Sequence, residues 1–197
     1  MAERARDADP TAPSSDPGRT ASLALEAAEA DADARALAST IRIRILRLCL
    51  DQAMTNREIA TRLDKNPATT LHHVRTLVDR GFLVAEPVRR GARGSREVPY
   101  RATRKSWRSP SVPGQARVLI DTFLEEIALV DNLDDSPMVR LGVRLGADAY
   151  RELTERFHDI FQELAAREPD PDGEPYSLFF SMHDDVSRRA LEPGDRA

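Results

Sequence analysis

Six polar side chains crowd into eight consecutive positions of this chain: Thr69, Thr70, His72, His73, Arg75 and Thr76. Hydroxyls and imidazoles can both donate and accept hydrogen bonds, while a guanidinium only donates, in a fixed fork. A little further on runs Arg89-Arg90-Gly91-Ala92-Arg93-Gly94-Ser95-Arg96, four arginines punctuated by two glycines. Thr69, Thr70, His72 and His73 have the chemistry to tell apart the donor and acceptor edges of base pairs. Arg75, Arg89, Arg90, Arg93 and Arg96 suit phosphates, or the negative potential of a narrow minor groove. A polar helix face alone is ordinary surface. Its combination with an arginine-rich tip is what points to duplex DNA.

The charge distribution agrees. The 197 residues sum to −4, with a pI near 5.6. Residues 54–108 hold 13 basic and 5 acidic side chains, net +8, between an N-terminal part at −2 and a C-terminal part at −10. A basic module in an otherwise acidic chain suits a polyanion. Hydrophobic residues are 41%, which excludes a wholly disordered or collagen-like chain. No apolar run approaches the roughly 20 residues of a membrane span, and residues 1–7 lack the apolar stretch of a signal peptide. The single cysteine, Cys49, rules out an intrachain disulfide or a Cys-pair zinc site and suits a reducing cytoplasm.

The elements that must position these groups follow from periodicity. Pro10, Pro13, Pro17 and Gly18 mark a disordered tail over 1–22. Residues 21–38 are helix-forming, with only the end (Ala34, Leu37, Ala38) able to pack. Ile41, Ile45, Leu48 and Cys49 predict a helix over 40–50, with Arg42 and Arg47 outward. Thr55-Asn56-Arg57-Glu58 is a capping box opening a helix whose apolar side is Ile59, Ala60 and Leu63. Asn66-Pro67 caps the next one, Leu71, Val74, Leu77 and Val78 form its inward stripe, and Gly81 ends it. Residues 82–88 and 97–102 read as two strands around the arginine tip, with Pro87 and Pro99 in edge positions. After a linker at 109–115, helices are expected over 116–133 and 138–167, the second with a heptad-like seam from Tyr150 to Leu164. Tyr176, Leu178, Phe180 and Met182 alternate as in a strand, and 186–197 reads as a frayed tail.

Helix, short turn, helix, basic β-hairpin is the order of a winged helix-turn-helix. Residues 34–106 resemble the ArsR-type winged-helix regulators. The resemblance is carried by Ala36-Leu37-Ala38, Ile41-Arg42-Ile43-Arg44-Ile45-Leu46 and Thr55-Asn56-Arg57-Glu58-Ile59-Ala60. Most specific is the run from Thr70 to Leu83, where Leu71, His73, Leu77 and Gly81 match the recognition-helix pattern Leu-x-His-x-x-Leu-x-x-x-Gly. Ala38-Ser39-Thr40-Ile41 departs from the family's usual His-Pro-x-Arg at a helix junction. The resemblance implies a dimeric bacterial transcription factor that binds a short palindrome at a promoter and releases it on meeting a small-molecule effector. The C-terminal half resembles that of longer members that do not sense metals.

Metal sensing lacks its ligands. Cys49 has no second thiol, adjacent His72 and His73 point about 100° apart on a helix, His158-Asp159 has only Glu155 or Gln162 within helical reach on its face, and His183-Asp184-Asp185 could hold a cation but reads rather as a solvated strand end. Glycine-rich nucleotide loops, the zinc-protease motif and the nucleophile elbow are all absent from the sequence, so no enzyme is expected. The fold expected is mainly α with a small β wing: a DNA-binding domain at 23–108, then a helical dimerisation and effector region at 116–185 with a terminal strand. Leu178, Phe179, Phe180, Trp107 and the facing helices have the apolar character to line an effector pocket. The function expected is a homodimeric, sequence-specific, cytoplasmic (nucleoid-associated) regulator, with repression as its action. No cofactor, metal or membrane partner is expected. The competing reading is a protein-interaction or sensor module that works through its acidic C-terminal helices.

Overall fold

A computed structural model describes residues 17–91, 94–108 and 114–188. They fall into two units, the first ending at Glu126 and the second starting at Ile127.

The first unit holds helices α1 (Pro17–Leu37), α2 (Thr40–Leu48), α3 (Asn56–Leu63), α4 (Pro67–Asp79), α5 (Lys105–Arg108) and α6 (Gln115–Ile127). Its strands are β1 (Met54–Thr55), β2 (Leu83–Ala85), β3 (Arg89–Arg90), β4 (Arg96–Glu97) and β5 (Pro99–Ala102). β5 lies between β1 and β2, antiparallel to both, with Met54 opposite Tyr100 and Leu83 opposite Ala102. β3 and β4 make a separate two-stranded tip, Arg90 opposite Arg96. This is a winged helix-turn-helix, mostly helical with a small antiparallel wing.

Local chemistry sets the helix ends. Thr55 Oγ1 accepts from the Glu58 N–H at 3.3 Å and Glu58 Oε2 accepts from the Thr55 N–H at 2.7 Å, the reciprocal capping box. Asp64 takes the left-handed turn after α3 (φ 51°), a conformation short polar side chains tolerate. Asn66 Oδ1 accepts from the Ala68 N–H at 2.8 Å and Pro67 occupies the first position of α4. At the other end Gly81 (φ 69°) closes a Schellman motif: Phe82 N–H reaches the Leu77 carbonyl and Gly81 N–H that of Val78.

One core holds these pieces. Ala36 and Leu37 of α1, Ile45, Leu46 and Cys49 at α2, Ile59 and Leu63 of α3, Val74 and Leu77 of α4, and Phe82, Leu83 and Ala102 near the sheet are all buried in it. α1 packs only by its C-terminal end, and Leu23 and Leu25 are exposed. α6 groups with this unit, where Glu125 pairs with Arg44 at 3.2 Å and Glu126 with Arg47 at 2.8 Å.

Several elements differ from the expectation. β1 was not foreseen; it consists of the two residues just before α3 and exists only through its pairing with β5. Pro99 sits in the central strand, not at an edge. It is the first residue of β5, and its carbonyl still accepts from Glu86 N–H at 2.8 Å. Of the expected tail, residues 17–22 begin α1 and 1–16 lie outside the described residues, as do 109–113 of the linker and 189–197 of the C-terminal tail.

The second unit contains a 3₁₀ turn at Leu133–Asp135, helix α7 (Ala147–Ala166) and a 3₁₀ turn at Val186–Arg188. The helix expected from 138 starts only at Ala147, because 137–146 carries Pro137, Gly142 and Gly146 and has no regular structure. The helix expected over 116–133 stops at Ile127. The expected terminal strand is not formed: 174–185 is irregular and no strand lies beside it among the described residues. Phe180 stacks instead on Phe157 of α7 at 3.9 Å. No described residue of α7 is buried, and Val139 is 92% exposed.

If the buried stripe of α4 holds this core together, Leu77→Ala should lower unfolding free energy by about 2–5 kcal/mol in urea melts followed by circular dichroism. A loss below half a kcal/mol would contradict the packing.

Candidate nucleic-acid interface

α4 presents a polar face because its opposite face is clamped between α2 and α3. Val74 and Leu77 are fully buried, each contributing roughly 1.5–3 kcal/mol through removal from water. Thr69, His72 and Arg75 are then exposed, and His73 and Thr76 half-buried. These five share the outer part of the helix with Asp79.

Thr70 does not belong with them. It is 1% exposed, and its hydroxyl donates to the Asn66 carbonyl at 3.1 Å. A threonine whose hydroxyl is satisfied by the preceding turn can be buried at little cost. The inward stripe is therefore Thr70, Val74 and Leu77, with Leu71 half-buried beside it, and Thr70 is withdrawn from the base-reading set. Thr76 directs its hydroxyl hydrogen to the His72 carbonyl at 3.1 Å, which leaves its oxygen as an acceptor.

The wing arginines are not equivalent. Arg90 and Arg96 face each other across the tip, exposed and without an ion pair among the described residues; Arg75 is likewise exposed and unpaired. Arg89 is also exposed but engaged in ion pairs, 2.5 Å from Glu58 Oε1 and 4.0 Å from Glu97. Glu58 thus ties the base of the wing to the α3 cap. The Thr55 backbone N–H, then its hydroxyl and Arg89, outweigh burial and hold the Glu58 carboxyl below the ordinary range. Arg93 lies outside the described residues. Gly91 N–H donates to the Ser95 carbonyl at 2.7 Å, and the Glu97 side chain lies over its Cα.

Other charges brace α4 rather than face outward. Asp33 of α1 meets Arg80 at 2.6 Å and Lys105 at 2.5 Å, and Lys105 also donates to the Arg80 carbonyl and lies over the Phe82 ring. Burial pushes the Asp33 carboxyl up, but the hydrogen bonds from Lys105 and Arg80 prevail and hold it low. Arg101 is paired with Glu86.

Sequence reasoning missed Arg57 and Arg62 on α3 and Lys65 in the turn between α3 and α4, all exposed. Asn56, next to Arg57, donates to the Pro67 carbonyl at 2.9 Å, which sets Arg57 beside the start of α4. The signal was available: the capping box places residue 57 in the first turn of the bracing helix.

Cys49 is buried, and desolvation, opposed by a backbone hydrogen bond from Met54 and the charge of Arg101, pushes its thiol up to about 11. It is therefore a protonated core residue at neutral pH. A disulfide reagent at pH 8 should label it only on unfolding; rapid labelling of the folded chain would contradict the placement.

Residues 39–84 match the family described as bacterial regulatory protein, arsR family. The match covers α2, β1, α3, α4 and the start of the wing. No curated protein matches the chain. Among solved structures, reduced HlyU from Vibrio cholerae is 21% identical, with a TM-score of 0.34, over 52% of this chain and 95% of its own. The homodimeric winged helix-turn-helix DNA-binding domain Mb0332 from Mycobacterium bovis, described as a possible ArsR-family regulator, is 19% identical, with a TM-score of 0.36, over 64% of this chain and 99% of its own. The MepR–DNA complex of S. aureus is 12% identical, with a TM-score of 0.31, over 75% and 97%. No helix among the described residues is long and apolar enough to cross a membrane.

Proposed function

We propose that this ArsR-type winged helix-turn-helix chain, a member of the winged-helix transcription regulators, acts as a homodimer that binds a palindromic promoter operator and represses transcription. The observation that carries the reading is one helix with two opposed faces. Thr70, Val74 and Leu77 seat α4 in the core, and Thr69, His72, His73, Arg75 and Thr76 are left outward as a mixed donor and acceptor face. That face fits a major groove, where base pairs differ in donor and acceptor pattern.

Arg90 and Arg96, exposed at the tip, suit backbone phosphates or the minor groove beside the site. Arg93 belongs with them by sequence. Arg89 joins them only by leaving Glu58, so its contribution is smaller. Arg57 and Lys65 add positive charge near the start of α4.

Two copies are needed because half-sites lie about one helical turn, 34 Å, apart. Apolar surface for the pairing is present: Leu119, Ile120 and Leu124 on α6 and, in the second unit, Tyr150, Ile160 and Leu164 on α7 are all at least one-third exposed. The net −10 of the C-terminal part disfavours its contact with DNA. Release of the operator by a small molecule completes the reading.

The same exposed surface supports a second reading, in which the C-terminal helices hold a protein partner and the wing has little specific DNA to bind. The two readings diverge under mutation. Replacing Arg90 and Arg96 together by alanine should weaken binding to cognate and scrambled duplex alike and lower the slope of log K against log salt by about 0.9 per lost phosphate contact. His72→Ala should instead cost about 1–3 kcal/mol on the cognate duplex only. An unchanged salt slope in the double variant refutes the wing's part, and equal losses on both duplexes refute His72 as a reader.

A further inference from the structure

Arg42 is expected on the outer side of α2, but it is turned inward. Its Nε donates to the Ala36 carbonyl and its Nη2 to the Arg35 carbonyl at 2.8 Å. Both carbonyls lie in the last turn of α1, where the helix dipole favours a cation, and the Arg35 carbonyl also accepts from Ala38 N–H at 3.4 Å. With its plane held by these two bonds, the guanidinium directs Nη1 to His73 of α4, 3.5 Å from Nδ1.

A guanidinium has no acceptor and does not give up its proton. A hydrogen on Nδ1 would therefore point at another N–H. The arrangement that fits is a lone pair on Nδ1 and the hydrogen on Nε2, which has no other partner among the described residues. We propose that Arg42 is a specificity-positioning residue: it fixes His73 as the neutral Nε2–H form, so that the ring offers α4's target one donor and no acceptor. This rests on the DNA-reading role of α4 proposed above.

The consequence is chemical selectivity. A lone donor suits the N7 and O6 of guanine, the N7 of adenine or the O4 of thymine, and disfavours the cytosine amino group. The opposite tautomer would offer an acceptor at Nε2 and invert that preference. Burial, the Arg42 charge and His72 all lower the His73 pKa, so the ring stays neutral at pH 7 and its donor is not confounded with a positive charge. Arg42 from α2 and His72 from α4 are the charged and titratable groups that bear on it.

Long-range proton–nitrogen NMR spectra of the labelled full chain, without DNA, read the tautomer directly. The spectrum of His73→Gln assigns the resonance among the four histidines. The wild type should show only Nε2–H, with a titration midpoint below the ordinary 6.5. Arg42→Met should give a tautomer mixture and a raised midpoint. Arg42→Lys, which keeps the charge without the fork, should give the mixture with a smaller rise. An Nδ1–H ring in the wild type overturns the proposal, and so does a tautomer unmoved by either folded variant.

A second arm uses cognate and scrambled duplexes. The glutamine amide reaches toward the Nε2 position and the asparagine amide only toward Nδ1. His73→Asn should therefore lose cognate preference by about fivefold or more beyond His73→Gln. Equal losses overturn the donor role. A wild-type chain without any cognate preference overturns the DNA reading instead, and the NMR result still decides whether Arg42 sets the ring.

Discussion

Burial of one stripe of α4 against α2 and α3 is the constraint on which the rest depends. Val74 and Leu77 are fully buried, and Thr70 fills the same stripe with its hydroxyl satisfied inside the helix. Once that stripe is inside, the phase of the helix is set, and with it which of the six polar residues can meet a ligand. The capping box, the Asn66 cap and the Gly81 turn are worth about a kilocalorie each. They fix where α4 begins and ends. The core fixes how it is rotated. A change of one residue in that rotation would expose Thr70 and bury His73, so the recognition chemistry is a by-product of core packing.

Electrostatics then divide the arginines into two groups. A net +8 over residues 54–108 suggests a uniformly basic surface. The structure uses much of that charge internally: Arg80 with Asp33, Arg89 with Glu58 and Arg101 with Glu86. Such pairs, partly exposed, stabilise only modestly. Their larger effect is geometric, because they hold the wing and the end of α1 at fixed angles to α4. Arg57, Arg62, Lys65, Arg75, Arg90 and Arg96, exposed and outside those pairs, are left for a polyanion. Glu58 serves twice, capping α3 and holding Arg89, so the N-terminus of the bracing helix and the base of the wing are one hydrogen-bonded assembly.

Local features were legible in the sequence and long-range ones were not. The caps of α3 and α4, the Schellman glycine and the arginine tip each depend on a few adjacent residues. β1 was hidden because two residues carry no periodicity, and only β5 makes them a strand. The Thr70 and Leu71 exchange was hidden because alternation of apolar residues does not say which side neighbouring helices will cover. Arg42 read as outward for the same reason, since the carbonyls it meets end another helix. In the C-terminal part the apolar spacing was visible, yet Gly142 and Gly146 delay the helix to Ala147, and the alternation from Tyr176 to Met182 found no strand to pair with. A pattern of apolar residues shows what must be covered, not what covers it.

The most direct test is fluorescence anisotropy of the purified full chain against duplex DNA from its own promoter, at two salt concentrations and with scrambled competitor. Binding in the nanomolar range typical of specific regulators is expected, persisting in competitor and weakening steeply with salt. Binding that scrambled duplex removes, or affinity indifferent to salt, would contradict it.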